Sequence, residues 1–311
     1  MRIGKLNKVI KKVTVKSAFV SWQSSNRLRG LSPRTVDNYE QVINYLDEII
    51  DIDDGLEIID DSLPNTLISH LKATTKMGNN SINNVLRSLN VFLKYCHEEY
   101  RHPSIRIKFL KVKTDVKPIF TEEQLKILLR KPNLNDCTWM ELRGWTWCVL
   151  LFNTGIRCSS LHGIRMCDVN LEQRILTINT TKNKKAYSLK ISKSLYEALK
   201  LYLKYRPEVK TDYLWINEYG EALSQRSYSS IMARYIRSRI PDIPSEYTQF
   251  HIWRRSFATY SLKYQNFDIH TLQVLLGHSH ISTTSLYTKN YSTLDVEDFD
   301  MMDNIRRKKI V

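Results

Sequence analysis

The chain has 311 residues, of which 42% are hydrophobic and 25% charged, and these proportions exclude an extensively disordered protein. Its 47 lysines and arginines exceed its 32 aspartates and glutamates, and the resulting net charge of +15 favours a polyanionic partner such as nucleic acid. The length predicts two domains, and the absence of any apolar run of about eighteen residues argues against a membrane-spanning segment.

Residues 12–110 are predicted to form a helical bundle. Ser32 and Pro33 supply an N-cap followed by a first-turn proline, and apolar residues at helical spacing come after them. A second stripe at the same spacing runs over residues 82–96, and Leu63-Pro64 opens a shorter helix between the two. These signals predict a compact unit of about four or five helices.

The stretch from Arg101 to Pro118 is basic and has a proline near each end, a composition that is typical of an extended connection. We place the interdomain linker at residues 111–118. The composition is equally compatible with a strap that lies along DNA phosphates and with a solvated tether.

Residues 119–311 are predicted to form a second domain that combines helices with a small antiparallel β-sheet. A Thr-Glu-Glu-Gln capping box opens its first helix, and residues 145–152 are apolar all round, as in a helix buried in a core. Alternating residues at 174–180 predict a strand, and residues 186–191 predict the strand that returns to it. Residues 213–216 are a candidate third strand, and the whole chain is therefore expected to be mainly α.

The five cysteines, an odd number without a Cys-x-x-Cys pair, predict a reduced cytoplasmic protein without disulfides or structural zinc. The N-terminus is basic but lacks the continuous apolar segment of a secretory signal. Two histidines stand close together at His278 and His280, but no carboxylate or cysteine lies near them at ligand spacing. We therefore expect neither a metal nor another cofactor.

Six side chains of the second domain have the chemistry that metal-independent cleavage of a phosphodiester requires. Cleavage needs a nucleophile, fixed cations for the doubly negative transition state, and a proton donor for the leaving oxygen. Arginine suits the cation because its planar guanidinium is permanently charged and bidentate to phosphate. Taken singly, each candidate is more often an ordinary surface or packing residue. The six are Arg157, Lys182, His251, Arg254, His278 and Tyr287.

The setting of these residues along the chain favours a common site. Arg157 follows Gly155, which permits a sharp turn after an apolar helix, and Lys182 lies at the predicted hairpin. His251 and Arg254 are three residues apart, so they share a helical face and can meet the same phosphate.

Four segments that carry the candidates resemble the motifs of the tyrosine recombinase (phage integrase) family in type, order and spacing. In this sequence they read TGIRCSSL, TTKNKKAYSLKI, HIWRRSFATY and LLGHSHISTTSLYTK. The last segment matches most closely, because nine residues separate His278 from Tyr287. Each motif alone is a weak signal, but the ordered set is specific and the resemblance covers most of the chain.

The resemblance implies a role for each candidate. Arg157 and Arg254 are the two arginines that clamp the phosphate, and Lys182 takes the general-acid position. His251 is the acid–base group, and Tyr287 is the nucleophile. The histidine that precedes the nucleophile by nine residues donates to a phosphate oxygen.

The resemblance also implies an activity and a set of partners. A site-specific recombinase of this family cleaves double-stranded DNA, leaves a 3′-phosphotyrosine and a free 5′-hydroxyl, and rejoins the strands without ATP. Residues 12–110 become a SAM-like core-binding domain that closes a clamp around DNA with the mixed α/β catalytic domain. Four protomers act as a homo-tetramer on two DNA sites, and the chain after Tyr287 packs against a neighbour. Accessory DNA-bending or directionality proteins are further partners, and the layout is similar to Xer-like recombinases and mobile-element integrases.

Two positions depart from the family pattern. Ser160 stands where a carboxylate commonly follows the first arginine, and Arg255 stands where a histidine often follows the second. Neither departure removes a catalytic group. The missing carboxylate would have oriented the cationic side chains of the site. The resemblance therefore leaves open which group orients them in this chain.

Three other interpretations are weighed against a recombinase. A catalytically silent DNA-binding protein of the same fold is disfavoured because all six candidate groups are present. A type IB topoisomerase-like enzyme shares the residues but needs no paired sites, and the long segment after Tyr287 disfavours it. A non-enzymatic RNA-binding or membrane-surface protein would use the net charge of +15 and leave the motifs unexplained.

Overall fold

The computed structural model describes residues 12–112, 117–179, 186–264, 269–276 and 302. The chain divides between residues 115 and 116 into two compact units. Within the described residues no helix combines the length and the apolar character that crossing a membrane would require.

Over residues 12–112, the first unit contains four α-helices and a short 3-10 helix. They are α1 (Val15–Leu28), α2 (Pro33–Asp47), the 3-10 helix Leu56–Ile58, α3 (Leu63–Thr74) and α4 (Asn79–Tyr100). The predicted N-cap of α2 is confirmed, because the Ser32 side chain accepts a hydrogen bond from the Thr35 amide and Pro33 occupies the first turn. These local signals explain why the number of helices agrees with the sequence prediction.

Apolar helix faces form the core of this unit, and aromatic rings fill its centre. Phe19 packs edge-on against Trp22 and Phe92, with ring centroids 5.4 and 5.3 Å apart. Residues 101–112 contain no helix or strand, yet Ile105 and Ile107 are buried in the same core. This part of the extended segment is therefore packed rather than fully solvated.

The second unit contains seven α-helices among its described residues. They are α5 (Glu122–Leu128), α6 (Trp139–Thr154), α7 (Cys158–His162), α8 (Lys193–Tyr205), α9 (Gln225–Arg239), α10 (Phe250–Tyr264) and α11 (Ile269–Leu276). Short 3-10 helices span Met166–Asp168 and Ser245–Thr248. The predicted capping box of α5 is confirmed, because the Thr121 side chain and the Gln124 side chain each bond the other residue's amide.

A three-stranded antiparallel sheet accompanies these helices in the order β1 (Val169–Asn170), β2 (Ile175–Ile178) and β3 (Tyr187–Lys190). The two predicted strands correspond to β2 and β3, and the fold class is confirmed. The prediction of a third strand at residues 213–216 is wrong, because Tyr213 and Ile216 form only isolated bridges. Its place beside β2 is taken by β1, which returns through a short turn that ends at Arg174 with a φ of 53°.

The helix α6 is the centre of the second core. Its residues from Leu142 to Thr154 are all buried, as the continuous apolar run predicts. It packs against α8, α9 and α10, and Trp147 stacks on Tyr228 with ring centroids 4.8 Å apart. Packing on several sides therefore fixes the C-terminal end of α6, and with it the position at which the next residues begin.

Candidate active site

The C-terminal end of α6 fixes the position of Arg157. Gly155 ends the helix in the left-handed region with a φ of 58°, and its amide donates to the Leu151 carbonyl at 2.8 Å. A Cβ atom at this position would lie 2.3 Å from the Phe257 side chain and 2.9 Å from that of Leu276. Glycine is therefore required for the turn, which makes Arg157 the N-cap residue of α7.

Arg254 lies on α10 and is only 5% exposed. Its Nη1 donates to the carbonyl of Gly155 and its Nη2 donates to the carbonyl of Leu276, both at 2.7 Å. One guanidinium thus connects three elements: α10, the turn after α6, and the last residue of α11. Burying a cation this deeply costs free energy, and a bound anion offsets that cost. The burial of Arg254 therefore suits a group that binds phosphate.

His251 occupies the first turn of α10 on its exposed side. Partial burial of the ring lowers the pKa of His251, and the positive charges of Arg254, Arg255 and Arg157 lower it further. Two consequences follow. The imidazole is neutral at neutral pH and can accept a proton, and both candidate arginines are near enough to act on it electrostatically. The structure therefore brings together the three candidates that it describes.

The other three candidates lie outside the described residues. Lys182 belongs to the segment 180–185, and His278 and Tyr287 belong to the segment 277–300. Their roles stay predictions from the sequence.

Tyr187 is a residue of this site that the sequence motifs did not single out. It begins β3 and is half-buried against the core of the second unit. Burial raises the pKa of Tyr187, while the charges of Arg254 and Arg157 act in the opposite direction. Besides His251, the phenol of Tyr187 therefore also lies within electrostatic reach of both arginines. The predicted return strand placed this tyrosine beside the lysine-bearing hairpin, which was the available signal.

A half-buried polar pair lies on α7, the helix that Arg157 caps. Cys158 and His162, one turn apart on α7, approach to 3.2 Å between Sγ and Nε2, and the imidazole packs on the ring of Tyr228. Burial raises the pKa of Cys158 to about 12 and lowers the pKa of His162 to about 4. Both groups are consequently neutral at physiological pH, and this thiol is poorly suited to nucleophilic chemistry.

Ser160, at the position where a carboxylate was anticipated from the family pattern, is 3% exposed. Its amide donates to the Arg157 carbonyl in the first turn of α7. Burial of a small side chain here leaves α7 packed against the core. The described part of the chain holds no group of three or more His, Cys, Asp or Glu side chains arranged to bind a metal ion.

Sequence similarity to known proteins covers most of the chain. The profile described as "Phage integrase family" matches residues 118–293. The tyrosine recombinase XerD of Listeria monocytogenes serotype 4b (strain F2365) is 28% identical over 277 residues, which cover 84% of this chain and 89% of the relative. The tyrosine recombinase XerA of Thermococcus onnurineus (strain NA1) is 30% identical over 213 residues, covering 68% and 71%.

Solved structures show the same fold at lower identity. An integrase of the transposon Tn1549, in complex with transposon right end DNA, superposes with a TM-score of 0.70 at 19% identity and covers 90% of this chain and 96% of its own. A XerH site-specific recombinase bound to its difH substrate gives a TM-score of 0.63 at 21% identity, covering 87% and 81%. These likenesses extend the agreement from the matched segment to most of the fold.

Proposed function

Because the chain belongs to the phage integrase family and is a site-specific DNA recombinase of the tyrosine class, we propose that its reaction centre is formed by the six residues predicted above. The observation that carries this assignment is the convergence of Arg157, Arg254 and His251. Arg254 also bonds the carbonyl of Leu276, two residues before His278 in the sequence. The described part of the site is thus hydrogen-bonded to Leu276, the residue that directly precedes the segment with the predicted nucleophile in the sequence.

The proposed cleavage step begins with attack on the scissile phosphorus. The phenolic oxygen of Tyr287 forms a bond to phosphorus, and the bond from phosphorus to the 5′ oxygen breaks. His251, neutral because burial and the nearby arginines lower its pKa, takes the phenolic proton. Lys182 protonates the leaving 5′ oxygen. The products are a 3′-phosphotyrosine and a free 5′-hydroxyl.

The two arginines stabilise the charge that develops on the phosphate. Arg157 and Arg254 donate to its non-bridging oxygens, and His278 adds a further donor. Because Arg254 is buried and already fixed by two backbone carbonyls, it needs little reorganisation during the reaction. Rejoining is the reverse attack by a 5′-hydroxyl, and it needs no ATP because the covalent linkage conserves the phosphoester energy.

The assembly in which this chemistry occurs is proposed by analogy with the relatives. The helical unit binds double-stranded DNA as a core-binding domain, and four protomers act on two DNA sites. The chain after Tyr287 contributes to contacts between protomers. A mobile genetic element is the proposed substrate, supported by the likeness to the Tn1549 transposon integrase. The five cysteines are free thiols, which supports the reducing cytoplasm as the site of action.

The experiment that tests this function is covalent trapping on nicked DNA. DNA that the protein binds specifically is first selected from the neighbourhood of its gene, then nicked beside the cleavage position and incubated without metal or ATP. We expect a protein–DNA adduct on a denaturing gel for the unaltered chain. The adduct should be absent for Tyr287→Phe, because the ring remains and only the nucleophilic oxygen is lost.

Tyr291→Phe is the matched control, since it removes a hydroxyl from another tyrosine of the same segment. Its adduct should equal that of the unaltered protein. An adduct that persists in Tyr287→Phe would assign the nucleophile elsewhere. Specific binding without any adduct would favour a silent DNA-binding protein, and relaxation of supercoiled DNA without exchange between paired sites would favour a topoisomerase-like enzyme.

A further inference from the structure

We propose that Asp168 and Asn179 form a positioning pair for Lys182, the residue assigned above as the general acid. The proposal rests on the proposed function, because it takes Lys182 to protonate the leaving 5′ oxygen. Both members of the pair lie outside the family motifs and outside the six candidates.

Asp168 carries a carboxyl group that is almost completely buried. The residue ends the 3-10 helix Met166–Asp168 and is 5% exposed, and it is the only buried Asp or Glu among the residues that the structure describes. Both carboxyl oxygens accept hydrogen bonds: Oδ2 from the Arg165 amide at 2.8 Å, and Oδ1 from the Asn179 side-chain amide at 2.5 Å. A buried acceptor is costly to leave without a donor, so these two donors are held in place.

The bond to Asn179 lies at the end of β2, beyond its pairing with β1. The two strands pair as far as Val169 opposite Leu176, and Asn179 directly follows the last residue of β2. On the other side, β3 pairs with β2 up to Ile178. The Asp168 side chain, immediately before β1, thus bonds the chain where β1 no longer does. It fixes the point and the direction in which the chain leaves the sheet.

A short length of chain connects this point to Lys182. Lys182 follows Asn179 by three residues, which span at most about 11 Å. The position of Asn179 therefore limits where the Lys182 ammonium can lie. Asp168 belongs to the stretch that begins with Arg157 at the start of α7. One hydrogen bond thus joins the segment of the first arginine to the segment of the proposed proton donor.

The bond is better suited to positioning than to support of the core. Asn179 is exposed, so its side chain buries little apolar surface, and water can take the place of its amide. Proton transfer requires donor and acceptor within hydrogen-bond reach, and a displacement of about 1 Å can slow a reaction roughly a hundredfold. Loss of the bond should therefore impair protonation of the 5′ oxygen more than it impairs folding.

The first experiment compares Asn179→Ala with the unaltered protein in single-turnover adduct formation on natural DNA. We expect cleavage to slow by roughly tenfold to a hundredfold, with DNA affinity and the melting temperature nearly unchanged. Gln173→Ala is the matched control, because it removes an exposed side-chain amide that bonds Asn170 in the turn at the other end of β2. It should cleave at the unaltered rate.

The second experiment tests whether the defect lies in proton donation. The scissile 5′ oxygen is replaced by sulfur, which leaves phosphorus as a thiolate and needs no proton, because a thiol is much more acidic than an alcohol. Lys182→Ala should be slow on the oxygen substrate and close to the unaltered rate on the sulfur substrate. Asn179→Ala should show the same pattern. A merely structural role would slow the cleavage of both substrates equally.

Two results would overturn the proposal: an unaltered rate for Asn179→Ala on natural DNA, or a defect of equal size on the oxygen and sulfur substrates. Neither result would contradict the proposed function if the unaltered protein forms its adduct and sulfur restores Lys182→Ala. A Lys182→Ala defect that sulfur does not restore would remove Lys182 as the proton donor, and the positioning pair with it. Absence of an adduct with the unaltered protein on specifically bound DNA would contradict the proposed function itself.

Discussion

The two units bury different kinds of polar side chain. The buried polar side chains among the described residues of the first unit are amides and one imidazole. Gln23 donates to the carbonyl of Val36, and His102 contacts the carbonyls of Leu56 and Ile59. Among its described residues the second unit buries, besides neutral groups, the guanidiniums of Arg143 and Arg254 and the carboxyl group of Asp168. Burying a cation costs free energy that a neutral amide does not. The second unit is thus the one whose buried side chains cost the most free energy to remove from water.

A comparison of these two guanidiniums shows that burial alone does not identify chemistry. Arg143 donates to the Ile216 carbonyl and lies over the ring of Trp147, a purely internal setting near the start of α6. Arg254 is comparably buried but bonds the turn that positions Arg157. The location of Arg254 beside other candidate groups is therefore the ground on which we propose a catalytic role for it and a structural role for Arg143.

The largest expected effect is the loss of cleavage when Arg254, the buried arginine next to the other candidates, is replaced. Arg254→Ala should lower the rate of covalent adduct formation by about two decades or more, because it removes a transition-state donor as well as two backbone contacts. Arg254→Lys should retain part of the activity, since it keeps the charge but cannot bond two carbonyls and a phosphate in one plane. Single-turnover cleavage of nicked DNA measures both.

Controls for folding, for DNA binding and for a distant arginine accompany this prediction. Circular dichroism must show that each variant is folded at the assay temperature, and binding to intact DNA must be measurable. Arg87→Ala in the first unit, where an exposed arginine lies over Phe109, should leave the rate of the cleavage step unchanged. An Arg254→Ala protein that is folded, binds DNA and cleaves at the normal rate would remove Arg254 from the mechanism.

The sequence predicted local features better than tertiary ones. The caps at Ser32 and Thr121 and the buried run of α6 depend on neighbouring residues, and the structure confirms them. The strand predicted at residues 213–216 is absent because strand pairing depends on which distant segment lies beside the sheet, and β1 occupies that place. Tyr187 escaped notice for the same reason, since the electrostatic effect of Arg254 on it joins residues that are far apart in sequence and belong to one core.

The candidate site likewise combines features that the sequence predicted with tertiary contacts that it could not predict. Motif spacing was sufficient to propose Arg157, His251 and Arg254, and their proximity in the structure agrees with a common role. Spacing could not reveal that Arg254 bonds the carbonyls of Gly155 and Leu276, because those contacts join residues that are far apart in sequence. Roles within the reaction stay predictions.

An intermediate effect concerns the stability of the second unit at acid pH. Burial lowers the pKa of His162 to about 4 in the folded state, whereas it is about 6.5 when unfolded. The unfolded chain therefore binds a proton that the folded chain does not, and this contribution is present above pH 6.5 and lost as the pH falls towards 4. Because His162 is only half-buried and solvent screens part of the effect, we expect the loss to be about 1–2 kcal/mol of the free energy of unfolding.

Urea denaturation between pH 7 and pH 4.5 tests this contribution. His162→Asn should lose less stability over this interval than the unaltered protein. Cys158→Ala is the control, because it removes the same Sγ–Nε2 contact while leaving the titrating imidazole in place. Equal slopes of stability against pH for His162→Asn and the unaltered protein would show that His162 does not titrate in this way.

The smallest expected effect is a shift in the pH dependence of cleavage. Arg255 is one of the cations that lower the pKa of His251, so Arg255→Gln should raise that pKa towards its ordinary value. If His251 accepts the phenolic proton, the acid limb of the rate profile should move to higher pH. Arg255→Lys keeps the charge and should leave the limb in place. A shift of equal size in both variants would attribute it to lost packing.

The bond from Arg254 to the last carbonyl of α11 makes substrate affinity and helix docking a linked equilibrium. Any state in which α11 leaves its place costs Arg254 one of its two backbone acceptors and loosens the cation that we propose holds the phosphate. Under that proposal, reciprocity requires that DNA favour the docked helix by the same factor by which the docked helix favours DNA. If Arg254 binds the phosphate as proposed, the chain cannot hold its substrate fully while the end of α11 is out of place.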